Sequence, residues 1–226
     1  MESIRAKIGE GIFYGSVGNF FVKILGAIGY FLIVSRLSLH DYGVFILLTT
    51  VVGPASALTF FSLDRIFVSS YAKARAEGNW AYIKGIVREY YILSSVAFVV
   101  LVAFVLVARD FLSQHFDLYL AGFFWGTVAL VASQIFMNQV SMFLEANEKF
   151  RQISILQAGE SLARVIFIVF VIVYSSLSVA SVLFIYAAAK FVSVIIGALQ
   201  AWPLITDLKS RPFIRERGVI SGILRT

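Results

Sequence analysis

Three cations stand near the middle of long apolar segments of this chain, where water is not an obvious neighbour: Lys23, Arg164 and Lys190. An ionisable side chain at mid-bilayer costs about 2.5–3.5 kcal/mol on insertion scales, so such residues usually face a cavity or a partner. The headgroups lie about 15 Å away from that depth, which is further than a Lys or Arg side chain comfortably reaches. We therefore expect these cations to line a hydrated interior that attracts an anionic ligand, for which phosphate or pyrophosphate is suitable.

Other polar residues recur at helical spacing along the same segments. Asn19 precedes Lys23 by one turn, Gln134 precedes Asn138 by one turn, and Lys190 belongs to a stripe with the following residues: Tyr186, Ser193, Gly197 and Gln200. The alternative explanation is close helix packing, with small residues at the interface and polar groups bonded across it. That explanation accounts well for Ser and Gly and less well for Asn and Gln. It accounts poorly for three cations at one depth, because they repel each other.

The charges within the apolar segments do not balance. Lys23, Arg65, Arg164 and Lys190 stand against two carboxylates, Asp64 and Glu160. Glu160 precedes Arg164 by four residues and is close enough to pair with it on a helix. The cationic excess again favours an anionic cargo, whereas a cation-coupled exporter would more naturally carry buried carboxylates in excess.

Several classes of chemistry find no support in the sequence. There is no cysteine for disulfides or thiolate metal sites, no Gly-Lys pair for a P-loop, and no paired-carboxylate pattern. His40 and His115 are far apart, in segments predicted as short polar loops, which favours solvated histidines over metal ligands. We predict that the protein is not an enzyme and uses no metal and no cofactor.

The elements that must position these residues are membrane-spanning helices. The chain has 226 residues, 60% of them hydrophobic and 14% charged, and its mean hydropathy is +0.89. Soluble domains are nearer 45–50% apolar and about 25% charged. A span needs roughly 20 mainly apolar residues. Six segments qualify, giving an all-α six-helix lobe over residues 1–205 with spans at about 11–35, 43–70, 89–108, 118–144, 153–174 and 178–204.

The basic residues predict the orientation of the lobe. With the N-terminus inside, most of the 19 Lys and Arg residues fall on the cytoplasmic side, and only Arg36 and Arg109 fall in loops on the other side. Both termini are then cytoplasmic. The net charge is +6. Because the distribution of the cations between the two sides of the membrane accounts for it, we do not expect a nucleic-acid partner. Residues 206–226 form a basic tail, read either as a strip held by anionic lipid or as a linker to a further domain.

Short motifs along the chain resemble a known family. Asp41-Tyr42-Gly43 is the best of them, and Ser62-Leu63-Asp64-Arg65, the run at 145–151 and Glu160-Ser161-Leu162-Ala163-Arg164 also fit. Over most of residues 5–205 the sequence resembles the polysaccharide flippases of the multidrug/oligosaccharidyl-lipid/polysaccharide exporter superfamily.

That resemblance implies a function and roles for particular residues. Such proteins flip undecaprenyl-pyrophosphate-linked oligosaccharides by alternating access through a cationic cavity between two six-helix lobes in the bacterial inner membrane. By this resemblance the residues that would hold the substrate are Lys23, Arg65, Arg164, Lys190, Asn19, Gln134 and Asn138. Asp64 and Glu160 would tune those cations or couple transport to an ion.

The length of the chain departs from the family pattern of about twelve helices or more. It is expected to be the N-terminal lobe, whether as a fragment, a truncated product or a half that pairs with a second lobe or a second copy. Its expected partners are the lipid bilayer and an anionic lipid-linked oligosaccharide. Two other functions stay open: a cation-coupled small-molecule exporter of the same fold, which would depend on Asp64 or Glu160, and a membrane scaffold that transports nothing.

Overall fold

The computed structural model describes residues 2–60, 63–116 and 120–210. Within them the chain consists of α-helices joined by short turns and has no strand, which confirms the predicted all-α class. The described residues form seven helices: α1 Glu2–Val34, α2 Leu39–Phe60, α3 Leu63–Ala76, α4 Trp80–Phe116, α5 Leu120–Ala146, α6 Phe150–Tyr174 and α7 Val179–Ser210.

Four segments of the described helices are long and apolar enough to cross a bilayer: Gly15–Val34, Phe123–Ala146, Phe150–Tyr174 and Val179–Leu208. They coincide with the first, fourth, fifth and sixth predicted spans. A helix satisfies its own backbone hydrogen bonds, so it can enter lipid without unpaired polar groups. The chain is therefore a multi-pass membrane protein, while the count of six spans and their limits stay predictions. The basic tail lies outside the described residues from position 211 onward.

Two predicted segments and the two histidines differ from the sequence prediction. Residues 43–70, expected as one span, fall on α2 and on the amphipathic α3, whose Phe67 and Tyr71 are buried while Arg65 is exposed. The predicted loop 73–88 is largely the start of α4, because the Asn79 side-chain oxygen accepts the backbone N–H of Tyr82 at 3.0 Å and caps that helix. His40 and His115 lie in the first turn of α2 and the last turn of α4, so their placement in loops was wrong.

Close helix approaches depend on small residues at particular positions. α1 packs on α6, α6 on α7, and α7 on α5. A Cβ built on Gly18 of α1 would lie 2.8 Å from the Ser154 Cβ of α6, and one on Gly197 of α7 would lie 2.5 Å from Val140 of α5. Neither position has room for a side chain. Glycine at these positions lets the helix backbones approach closely, which stabilises helix packing in a membrane, where apolar burial alone does not drive helices together.

Two tight turns fix the ends of the helices. Before α2, the Ser38 hydroxyl oxygen accepts the backbone N–H of Asp41 at 3.0 Å, which caps the helix. Between α5 and α6, the Asn147 amide donates to the Phe143 carbonyl at 2.8 Å and its oxygen accepts the Tyr71 hydroxyl at 3.1 Å. Burial raises the pKa of Tyr71, so its hydroxyl stays a donor to the turn at neutral pH.

Candidate functional site

A cluster of three charged side chains lies between α6 and α7. The Lys190 Nζ donates to the Glu160 Oε1 at 2.9 Å, and Arg164, one turn along α6 from Glu160, donates to the same oxygen. The three side chains are only 10–19% exposed. Glu160 thus joins two neighbouring helices through one carboxylate oxygen, and two of the three predicted mid-membrane cations are partners in one cluster.

Aromatic rings complete one side of this cluster. The Arg164 guanidinium lies over the Tyr186 ring of α7, with 4.4 Å between its Cζ and the ring centroid. The Phe45 ring of α2 contacts Tyr186 in an edge-to-face arrangement, with 5.4 Å between the ring centroids. An Arg over a ring face is attracted by the ring quadrupole, and the attraction grows as water is removed. The contacts therefore connect α2, α7 and α6 in that order and hold the guanidinium in one orientation.

Among the described residues, the cluster has one more positive charge than negative charge, and one of its hydrogen-bond donors has no partner. One carboxylate faces two cations, so the three groups together carry a net charge of +1. The Arg164 Nε is buried and has no hydrogen-bond partner among the described residues. A buried charged donor without a partner is costly, and an anionic oxygen would satisfy it. The geometry therefore suits an anion better than a cation.

The other predicted residues fall into different surroundings. Lys23 and Asn19 are exposed on α1, and Arg65 is exposed on α3. No carboxylate among the described residues forms a salt bridge with Lys23. The Asp64 side chain lies outside the described residues. The structure thus brings Glu160, Arg164 and Lys190 into contact, and whether the exposed cations share a cavity with them stays a prediction.

On α5 the two predicted amides contact each other. The Gln134 Nε2 donates to the Asn138 Oδ1 at 2.9 Å, and both side chains are half-buried. This bond satisfies one donor and one acceptor of the pair and leaves the remaining amide groups able to bond elsewhere. The bond between Gln134 and Asn138 therefore leaves their predicted role in ligand binding open.

The predicted polar stripe on α7 divides into two parts. Tyr186 and Lys190 belong to the charged cluster. Further along, the buried Ser193 hydroxyl donates to the Leu156 carbonyl of α6 at 3.2 Å, and Gly197 is packed against Val140. The second part follows the packing explanation that the sequence left open.

Sequence reasoning missed the Lys190–Glu160 pair and the contact of Phe45 and Tyr186 behind Arg164. Spacing along one helix reveals a pair such as Glu160–Arg164, whereas Lys190 and Phe45 come from other helices. One signal was present: Tyr186 precedes Lys190 by one turn and therefore shares its face of α7.

The chain matches a known protein family over most of its length. The family described as Polysaccharide biosynthesis protein matches residues 8–205. The chain belongs to this family. That match covers the whole charged cluster and all nine residues predicted from the sequence, and it supports the family resemblance that the short motifs indicated.

Among solved structures, the chain is similar to one titled "Outward-facing conformation of a multidrug resistance MATE family transporter of the MOP superfamily". The TM-score is 0.64 at 14% identity, over 88% of this chain and 46% of that transporter. No curated protein matches the chain significantly. This likeness shows a shared fold, and the chain spans about half the length of the transporter that it matches.

Proposed function

We propose that this chain is one lobe of a transporter that flips an undecaprenyl-pyrophosphate-linked oligosaccharide across the bacterial cytoplasmic membrane for surface polysaccharide synthesis. The observation that carries the proposal is the cluster of Glu160, Arg164 and Lys190, with its net positive charge and the unpartnered Arg164 Nε. Membership of a polysaccharide biosynthesis family and the fold of a MOP-superfamily transporter lobe support it.

The chemistry of the cluster suits a pyrophosphate. A guanidinium presents planar, charged donors that match phosphate oxygens, and such bonds are about twice as strong as neutral ones. Glu160 offsets part of the charge of Arg164 and Lys190, which keeps the unliganded cluster tolerable in the low-dielectric interior. An arriving anion would complete the neutralisation, and a neutral lipid would not.

Lys23 supplies the second element of the proposal. It lies near the middle of Gly15–Val34, is exposed on the surface of the lobe, and has no carboxylate partner among the described residues. An exposed cation at that depth is unfavourable against lipid. In the proposal it faces a cavity closed by a second lobe or a second copy of the chain, where it meets the acidic part of the substrate.

A second candidate is a cation-coupled small-molecule exporter. It is favoured by the buried Glu160 and by the structural likeness to a transporter titled for multidrug resistance. Here Glu160 or Asp64 would couple transport to an ion. The positive excess in the described cluster argues for the first candidate, since a site for cations would more naturally carry an excess of carboxylates.

The test is complementation of cells that lack their own lipid-linked oligosaccharide flippase. The chain is expressed with a second lobe, and surface glycan is assayed for wild type, Lys23→Gln, Arg164→Lys and the double variant. Arg164→Lys keeps the charge and removes Nε and the planar group. We expect each single change to reduce export roughly ten-fold, the loss associated with one charge-assisted hydrogen bond. Arg36→Gln, an exposed cation in the turn after α1, is the matched control.

Protein level in the membrane is measured for every variant. Wild-type export by the double variant at an undiminished protein level would refute the proposal. Loss of ion-driven drug efflux in Glu160→Gln or Asp64→Asn, with glycan export unchanged, would favour the exporter instead. Loss of export in Arg36→Gln as well would indicate that cations in general, and not this site, are needed.

A further inference from the structure

A concave site, separate from the Glu160 cluster, lies at the end of the lobe where α4 begins and α5 and α7 end. Its volume is about 320 Å³. Four lining residues come from α4, one from α5 and two from α7: Lys84, Val87, Arg88, Tyr91, Phe143, Ile205 and Leu208. None of them belongs to the Glu160 cluster, and none is used in the proposed transport step. We call this depression the α4–α7 pocket.

The α4 residues place positive charge at one side of the pocket. Lys84, Val87, Arg88 and Tyr91 follow at intervals of three, one and three residues, so they share one face of the helix. Lys84 and Arg88 are one turn apart, Arg88 is exposed, and Lys84 is half-buried. The lining residues include no carboxylate. Arg88, which is exposed, is therefore the main attraction for a negatively charged group, and Lys84, which also has an interaction within the protein, adds a second positive charge on the same helical face.

The remaining wall of the pocket is apolar and firmly packed. Phe143 is 2% exposed and Leu208 is 8% exposed, while Val87 and Ile205 are half-buried at the surface of the pocket. A purely hydrophilic ligand would make no apolar contacts with this wall. A ligand with an anionic head and a hydrocarbon chain satisfies both sides at once.

The position of the pocket agrees with such a ligand. The apolar stretches Phe123–Ala146 and Val179–Leu208 both end beside it, so the pocket lies where hydrocarbon gives way to headgroups. Tyr residues such as Tyr91 are enriched at that depth. The predicted orientation of the chain makes this its cytoplasmic end, and basic pockets between helices on that side are known binding places for anionic lipid headgroups.

We propose that the α4–α7 pocket binds an anionic phospholipid of the bilayer. Its phosphate lies between Lys84 and Arg88, and one acyl chain lies along Val87, Phe143 and Ile205. A bound lipid joins α4 to α7, which contributes to holding these helix ends together. The lipid site does not depend on the proposed flippase activity, so an experiment that refutes one proposal leaves the other unchanged.

The test uses the full 226-residue chain, purified in detergent and examined by native mass spectrometry with dioctanoyl phosphatidylglycerol or dioctanoyl phosphatidylcholine. We expect the anionic lipid to bind more tightly than the zwitterionic one. Lys84→Gln/Arg88→Gln should weaken binding of phosphatidylglycerol about thirty-fold, as expected when the attraction of two cations to an anionic lipid is lost. Lys73→Gln/Arg75→Gln removes the same charge from the neighbouring end of α3, outside the pocket, and should leave binding unchanged.

Two further variants separate the head from the chain. Lys84→Arg/Arg88→Lys keeps both charges and should bind the lipid as wild type does. This result would show that the neutral variant loses binding because it lacks the charges and not because it misfolds. Ile205→Ala should weaken binding of the lipid and leave inorganic phosphate unaffected. Equal binding of the two lipids, or equal loss in the α3 control, would overturn the proposal. Inorganic phosphate binding as tightly as the lipid would identify an adventitious ion only.

Discussion

Lys23, Arg164 and Lys190 were all predicted to be mid-membrane cations, but their surroundings differ. Arg164 and Lys190 lie in the charged cluster between α6 and α7, and Lys23 lies with Asn19 on the exposed stripe of α1. Lys190 and Arg164 share the carboxylate of Glu160 and are mostly buried within the lobe. Lys23 and Asn19 are exposed on the lobe surface. Depth in the membrane thus does not decide the role of a charge. Glu160 holds Arg164 and Lys190 within the lobe, whereas Lys23 has no carboxylate partner among the described residues.

The strongest test of this difference replaces the shared carboxylate. Glu160→Gln leaves Arg164 and Lys190 side by side without their anion, and breaking a buried ion pair from one side typically costs about 3–5 kcal/mol. Lys23→Gln removes an exposed charge and should change stability by less than about 0.5 kcal/mol. Unfolding in SDS followed by circular dichroism measures both. Similar stability for Glu160→Gln and wild type would contradict the structural role given to the cluster.

A triple variant distinguishes lost packing from an uncompensated charge. Glu160→Leu with Arg164→Met and Lys190→Met removes all three charges together, and apolar replacement of a buried ion cluster is often neutral or stabilising. We expect it to recover most of the stability lost in Glu160→Gln while remaining inactive in glycan export. If the triple variant is as unstable as Glu160→Gln, the charges themselves are not the cause.

The two faces of α1 provide a test of intermediate size. A Cβ on Gly18 would lie 2.8 Å from the Ser154 Cβ and 3.3 Å from its Cα, whereas one on Gly26 meets nothing within 4 Å. Gly18→Ala should therefore destabilise the lobe by about 1–3 kcal/mol through overpacking. Gly26→Ala should be neutral or stabilising by up to about 1 kcal/mol, because alanine favours helix. Thermal melting in detergent compares the two, and equal melting temperatures would show that α1 does not pack on α6 through Gly18.

Much of the fold follows from the sequence because lipid imposes a simple rule: a long apolar segment must be a helix. The same rule says little about amphipathic segments outside the hydrocarbon. The helices α3 and the start of α4 were accordingly predicted as part of a span and as a loop. The Glu160–Arg164 pair could be predicted from spacing within one helix. The Lys190–Glu160 contact could not, because it depends on how α6 and α7 pack against each other.

The family motif Asp41-Tyr42-Gly43 shows the same limit. Its sequence gives a resemblance, and the structure adds a physical role: the Asp41 N–H is satisfied by the Ser38 oxygen, and the Tyr42 hydroxyl donates to Tyr30 of α1. The motif therefore starts α2 and joins it to α1. Neither role requires contact with a ligand.

The smallest expected effect concerns this start of α2, the helix whose Phe45 lies against Tyr186 behind the buried cluster. Ser38→Ala removes the cap and should cost about 1 kcal/mol, the usual value of an N-cap side chain. Ser35→Ala is the matched control: its hydroxyl donates to the Leu32 carbonyl at 2.9 Å but caps no helix start. Thermal melting should show a clear loss for Ser38→Ala and almost none for Ser35→Ala. Because the cap supports α2 behind the buried cluster and lies away from the exposed stripe, the loss should lower stability without abolishing export. Export abolished by Ser38→Ala at an undiminished protein level would mean that the start of α2 takes part in transport and is more than a structural support.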